Sequence, residues 1–167
     1  MSDPFDDFIA QVAKRSRKIE RNLGYTLAHH YTKDNFFDDF VVTISPEFTL
    51  DKKIKLVKAI IENNYPEHYQ KYKKVFTSVD KFRKVRNGLI HGRHNSALYS
   101  KDRVVYLQQR NGKISWSSMS IAQTKKFLKN AEEIEKNLWD LDYLVLQNPQ
   151  CRSPDKIPEK NTNLVLD

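Results

Sequence analysis

Apolar side chains recur at every third or fourth position over four long stretches of the chain, which is the spacing of an amphipathic α-helix. Pro66 ends the second stretch, and Gly92 ends the third, because glycine commonly follows the last turn of a helix. Ser120 stands before the fourth stretch as a favourable N-cap. The predicted helices cover about Pro4–His29, residues 49–64, Glu67 to Gly92, and Ile121 to about Leu146.

Between the third and fourth helices, two stretches rich in β-branched and aromatic residues, RVVYLQQ and KISWSSMS, are joined through Asn111-Gly112. Asn-Gly between such stretches is a strong hairpin signal. Residues 31–48 have no sustained period and are predicted to form a connection with one short helical turn in NFFDDF. The predicted fold is therefore all-α: an antiparallel bundle of four to five helices, with a small β-hairpin at about 103–119 before the last helix.

The length of 167 residues is typical of one domain, predicted at 1–147, and the residues that follow, 148–167, are rich in proline and polar groups and predict a loose tail. No apolar stretch is long enough to span a bilayer, and MSDPFDDFIAQ lacks the basic and apolar regions of a secretory signal, so we expect a cytoplasmic protein with no membrane partner. The single cysteine, Cys151, excludes an internal disulfide and a thiolate metal cluster.

Positive charge is in excess, because 29 Lys and Arg residues less 21 Asp and Glu residues leave +8. Much of the excess lies in residues 71–93, which contain KYKK and KFRK. A basic balance favours polyanionic partners, although it also keeps many proteins soluble.

The stretch KFRKVRNGLIHG, at the end of the third predicted helix, holds an arginine, an asparagine and a histidine that could act together. Asn87 and His91 are four positions apart and share a helical face, whereas Arg86 and His91 diverge by about 140°. Both could reach one phosphate if the helix distorted near Gly88 or Gly92, or if a two-fold dimer brought two copies together.

The pattern of Arg86, Asn87, three further residues and His91 near the end of a bundle helix resembles the signature of the HEPN superfamily (higher eukaryotes and prokaryotes nucleotide-binding). The hairpin and the closing helix extend this resemblance over about 50–146. It implies a metal-independent endoribonuclease, a homodimer with a composite site at its interface, and catalytic roles for Arg86, Asn87 and His91. It also implies a setting in bacterial defence or a toxin system, with an antitoxin or another protein as partner.

The same residues suit RNA cleavage on chemical grounds. An imidazole with an ordinary pKa near 6.5 can transfer protons near neutrality, which fits His91, and the guanidinium of Arg86 offers a planar set of donors to phosphoryl oxygens. The neighbouring cations Arg83, Lys84 and Arg93 are expected to hold the RNA backbone. No cofactor is expected, and no metal site, because no histidine and carboxylate cluster has the spacing of metal ligands.

Other interpretations stay open. Arg86, Asn87 and His91 could simply cap the end of a helix, in a non-catalytic module that binds nucleotides, RNA or another protein. A generic DNA-binding or adaptor protein is a third possibility, although no helix-turn-helix spacing stands out. The aromatic stripe at 65–76 predicts core packing, and Trp116 either covers the bundle or marks a partner surface.

Overall fold

The computed structural model describes residues 4–32, 34–91, 103–110 and 113–147. The predicted tail at 148–167 and the predicted turn at Asn111-Gly112 lie outside these residues. The elements in chain order are α1 (Pro4–Tyr31), α2 (Phe37–Asp39), α3 (Leu50–Asn64), α4 (Pro66–His91), β1 (Arg103–Arg110), β2 (Lys113–Ser120) and α5 (Ile121–Leu146). The prediction of a mainly helical bundle with one hairpin before the last helix is therefore confirmed.

Two helices begin at the caps that their sequences favour. The Thr49 hydroxyl accepts a hydrogen bond from the Lys52 amide at 3.2 Å at the start of α3. At the start of α5, the Ser120 hydroxyl accepts from the Gln123 amide at 3.3 Å, and the Gln123 side chain accepts from the Ser120 amide at 2.8 Å. This reciprocal capping box satisfies two backbone donors, so the predicted N-cap at Ser120 is confirmed.

The connection between α1 and α3 is more regular than its sequence indicates. In place of one turn in an irregular segment, it contains four short turns: a 3-10 turn at Asp34–Phe36, α2, a π turn at Phe40–Ile44 and a 3-10 turn at Ser45–Glu47. Phe37 packs against α1, with its ring 4.5 Å from that of His29. Such tertiary contacts hold single turns that are too short to show a period of their own.

The core lies where α1 packs on α5 and α3 packs on α4. Its fully buried members include Ile19, Leu23, Leu27, Val57, Ile61, Val79, Leu138 and Leu141. In the aromatic stripe, Tyr65, Tyr72 and Phe76 are buried and Tyr69 is half-buried against the core. Its predicted packing role is confirmed.

Polar contacts also tie α1 to α5. The Arg15 guanidinium pairs with Glu135 at 3.0 Å and with Glu132, and the Asn22 side chain donates to the Glu135 carbonyl at 3.3 Å. One helical turn before the end of α5, Asp142 lies 2.8 Å from Nδ1 of His29. The basic residues of α1 at 14–18 therefore contact α5, through Arg15 and through Lys18, whose ammonium lies 3.8 Å from Glu135.

The hairpin lies with β1 against α4, and its two strands pair in antiparallel register, with Val104 opposite Met119 and Leu107 opposite Trp116. Alternate side chains of a strand point to opposite faces. Val104 and Met119 are buried on the bundle side, whereas Trp116 is 51% exposed. Of the two interpretations of Trp116, the structure therefore supports the exposed one.

Candidate functional site

The predicted motif lies in the last two turns of α4. The helix continues through Gly88 to His91, and Leu89 within it is fully buried in the core. Arg86 and Asn87 are half-buried. Position 91 falls one turn beyond Asn87 on the same face, while Arg86 points about 140° away from it by helical geometry.

A hydrogen bond joins two of the predicted site residues. Nη1 of Arg86 donates to Oδ1 of Asn87 at 3.0 Å, so the guanidinium bends toward the neighbouring face of the helix. Asn87 thereby connects Arg86 to the face that contains position 91. The backbone of His91 is helical, and its side chain lies outside what the structure describes, as does Arg93.

Two of the predicted RNA-binding cations are paired with carboxylates. Arg83 contacts Asp80 at 2.7 Å and Asp51 of α3 at 3.3 Å, and Lys84 contacts Asp80 at 2.7 Å. Burial raises the pKa of Asp80, but hydrogen bonds from Lys84 and Arg83 and their positive charges outweigh this and hold that pKa below its ordinary value. The positive charge beside the motif is therefore smaller than the sequence alone indicates.

Arg83, Arg86 and Asn87 form one wall of a polar cavity of about 410 Å³. The opposite wall is the 46–51 segment, which includes the first turn of α3, and Glu20 of α1 also lines the space. A volume of this size is within the range of small-ligand sites. Two arginines and three carboxylates, Glu20, Glu47 and Asp51, surround it, so the cavity has mixed charge.

Lys53 of α3, two residues after the cavity residue Asp51, is only 6% exposed. Burial lowers the pKa of Lys53, and the negative charge of Glu20 partly opposes that shift. Neither residue was singled out by sequence reasoning. They belong to α1 and α3, far along the chain from the motif, and no local pattern marks them as its neighbours.

Gly88 is the point at which the hairpin touches the motif. A Cβ atom added there would lie 2.1 Å from the carbonyl oxygen of Leu107 and 2.8 Å from the Tyr106 ring. The helix is continuous on both sides of Gly88, so of the two ways in which Arg86 and His91 could reach one phosphate, distortion of the helix at Gly88 is not observed. Gly88 allows the β1 backbone to approach α4 closely.

Within the described part of the chain, no three His, Cys, Asp or Glu side chains are grouped so that they could hold a metal ion. No helix among the described residues is long and apolar enough to cross a membrane. The candidate site at the end of α4 therefore consists of Arg86, Asn87 and the polar cavity that they line.

The chain was compared with protein-family models, with curated proteins and with solved structures, and none of them matches it.

Proposed function

We propose that this protein is a metal-independent endoribonuclease of the HEPN type, with Arg86, Asn87 and His91 as its catalytic residues. The observation that supports it best is the Arg86 to Asn87 hydrogen bond in the wall of a ligand-sized polar cavity, with position 91 one turn further along the Asn87 face. This arrangement links a phosphate-binding guanidinium to the face from which an imidazole would act.

In the proposed reaction, His91 removes the proton of a ribose 2′-hydroxyl, whose oxygen then attacks the adjacent phosphorus. The new bond between phosphorus and the 2′-oxygen forms as the bond to the 5′-oxygen breaks. The imidazolium of His91 gives up the proton that it accepted, the leaving 5′-oxygen is protonated by it, and the products are a 2′,3′-cyclic phosphate and a 5′-hydroxyl. Arg86 stabilises the negative charge that develops on the phosphoryl oxygens, and Asn87 positions the guanidinium.

The proposal includes a homodimer. In it, a two-fold axis brings the ends of two α4 helices together, so that Arg86 and His91 of both copies line one cleft. The resemblance of the motif extends the proposal to a toxin or defence component whose activity a partner such as an antitoxin controls.

The second candidate is a non-catalytic module that binds nucleotides, RNA or another protein. Its forms that bind a nucleotide or another protein are favoured by the pairing of Arg83 and Lys84 with Asp80, because cations neutralised in this way are less available to RNA. The pair of Arg83 with Asp51 also gives Arg83 a structural role, since it joins α4 to α3.

One experiment distinguishes the nuclease from the binding module. The purified protein is incubated with mixed RNA in excess EDTA, and the ends of any RNA fragments are analysed. We expect cyclic phosphate ends from the wild type and none from His91→Ala. Lys129→Ala serves as a control that removes an exposed cation of α5 lining neither cavity, and it should cleave like the wild type. Absence of cleavage by the wild type, or cleavage that persists in His91→Ala, would contradict the nuclease and support the binding module.

A further inference from the structure

A second cleft runs between α4 and α5 on a part of the molecule that the motif does not use. It has a volume of about 640 Å³, and we call it the lysine groove. Lys71, Lys74 and Lys81 of α4 line one side, and Asn130 and Asn137 of α5 line the other. Spacings of three and seven place the three lysines on one helical face, over about 15 Å of its length.

The floor of the lysine groove is already closed by core packing. Phe82 is 2% exposed, Ile134 is 5% exposed, and the rings of Phe82 and Phe127 are stacked with their centres 5.2 Å apart. The floor keeps some accessible apolar surface, at Val85 and Phe127. The cations and side-chain amides along the rim are the groups that can form ion pairs and hydrogen bonds with a ligand.

The three lysines make no ion pair with any carboxylate among the described residues, whereas Arg83 and Lys84 nearby both do. The ammonium of Lys71 contacts only the Tyr72 ring, 5.0 Å from its centre, among the contacts that the structure gives it. Of the residues that the structure describes, Glu133 is the one acidic residue that lines the groove. Like charges gathered in a cleft with low-dielectric walls concentrate the field and attract the opposite charge.

We propose that the lysine groove binds the sugar-phosphate backbone of single-stranded RNA, with Lys71, Lys74 and Lys81 on phosphates and Asn130 and Asn137 on ribose hydroxyls or phosphate oxygens. This inference rests on the proposed function and adds the path of the substrate. A cleft of this volume holds a short length of one strand, whereas proteins that recognise duplex RNA span about 16 base pairs of it.

The position of the groove fits substrate delivery. Its lining on α4 ends at Val85, less than one turn before Gly88, and Lys81 lies about 15 Å along the helix from position 91. The groove faces α5 and the cavity beside Arg86 and Asn87 faces α3, so a strand that continues past Val85 reaches the motif by passing around the end of α4. Because Arg83 and Lys84 are held by Asp80, the groove lysines take the phosphate-binding role that the sequence had assigned to those two cations.

Binding is measured by fluorescence anisotropy with a short fluorescein-labelled single-stranded RNA in EDTA, with His91→Ala present in every protein so that the probe stays intact. The groove variant is Lys71→Gln/Lys74→Gln/Lys81→Gln. Its matched control, Lys125→Gln/Lys126→Gln/Lys129→Gln, removes the same charge from exposed positions of α5 outside the groove. Circular dichroism verifies that each variant is folded.

We expect the groove variant to bind about 100-fold more weakly at about 0.1 M salt, since each lost phosphate contact on a single strand lowers the salt exponent by about 0.7. The plot of log affinity against log salt should flatten by about 2, and the control should lose much less. A second variant, Asn130→Asp/Asn137→Asp, adds negative charge opposite the intact lysines and should weaken RNA binding several-fold. It tests the groove even if the triple lysine variant misfolds.

Equal losses in the groove and control variants would overturn the inference, because general charge would then explain binding. Groove-dependent binding of labelled polyglutamate at the affinity seen for RNA would also overturn it, in favour of an acidic protein partner. If the wild type does not cleave RNA but RNA binding still depends on the groove lysines, the proposed nuclease activity is rejected and the proposed RNA-binding role of the groove is supported.

Discussion

The contact between Gly88 and the hairpin predicts that Gly88→Ala destabilises the protein, although alanine is the better helix former. The added methyl group would lie 2.1 Å from the Leu107 carbonyl oxygen, whereas ordinary van der Waals contact begins at 3.4 Å. The hairpin would have to move by the difference, about 1.3 Å. A backbone carbonyl in a paired strand cannot rotate away as a flexible side chain can.

The magnitude follows from two opposing effects. Overpacking of this kind costs about 1–3 kcal/mol, and the rigid backbone neighbour places Gly88 near the upper end. Replacing glycine by alanine inside a helix returns about 1 kcal/mol. The expected net loss is about 2 kcal/mol, which for a protein of this size lowers the Tm by about 4–8 °C.

Thermal unfolding followed by circular dichroism measures this change, and Gly24→Ala provides a matched comparison. There the added Cβ would meet the Ser45 hydroxyl oxygen at 2.5 Å, but the next atom, Cβ of Ser45, only at 3.5 Å. Adding Ser45→Ala should therefore recover most of the loss caused by Gly24→Ala. No side-chain truncation can do this for Gly88. A Tm for Gly88→Ala equal to or above that of the wild type would refute the close contact.

Three further outcomes are expected. Mixing inactive Arg86→Ala and His91→Ala proteins should restore RNA cleavage if the site is shared between two copies, and the mixture should stay inactive if each copy holds a complete site. Burial lowers the pKa of Lys53 in the folded protein, because burying the charged ammonium costs stability. This cost is present in full below the lowered pKa and disappears as the pH rises toward 10.5, the ordinary pKa of lysine in the unfolded chain. In urea unfolding, the stability of the wild type relative to Lys53→Met should therefore rise from neutral to alkaline pH, and a constant difference would contradict this. Ser120→Ala should lose about 1 kcal/mol with the capping box, measured by the same unfolding, while Ser118→Ala on the exposed side of β2 should change little.

The candidate site was predictable only in part. The sequence located Arg86 and Asn87 at the end of a helix, and the structure shows them half-buried and bonded to each other. It could not show that Asp51, 32 positions before Arg83, would neutralise that arginine, because such a pairing depends on how α3 packs against α4. The functional roles assigned to Arg86, Asn87, His91 and Arg93 all stay predictions.

Local sequence determined the elements of this protein. Periods of three and four residues specify α1, α3, α4 and α5, and Ser120 specifies where α5 begins, because these signals act between residues less than two turns apart. Only the tertiary structure decided which faces meet. The role of Gly88, the series of turns at 34–47, the pairing of Arg83 and the lysine groove all arise where distant segments pack together. Packing angles and close approaches of that kind have no local sequence pattern, since each depends on the volumes and charges of residues elsewhere in the chain.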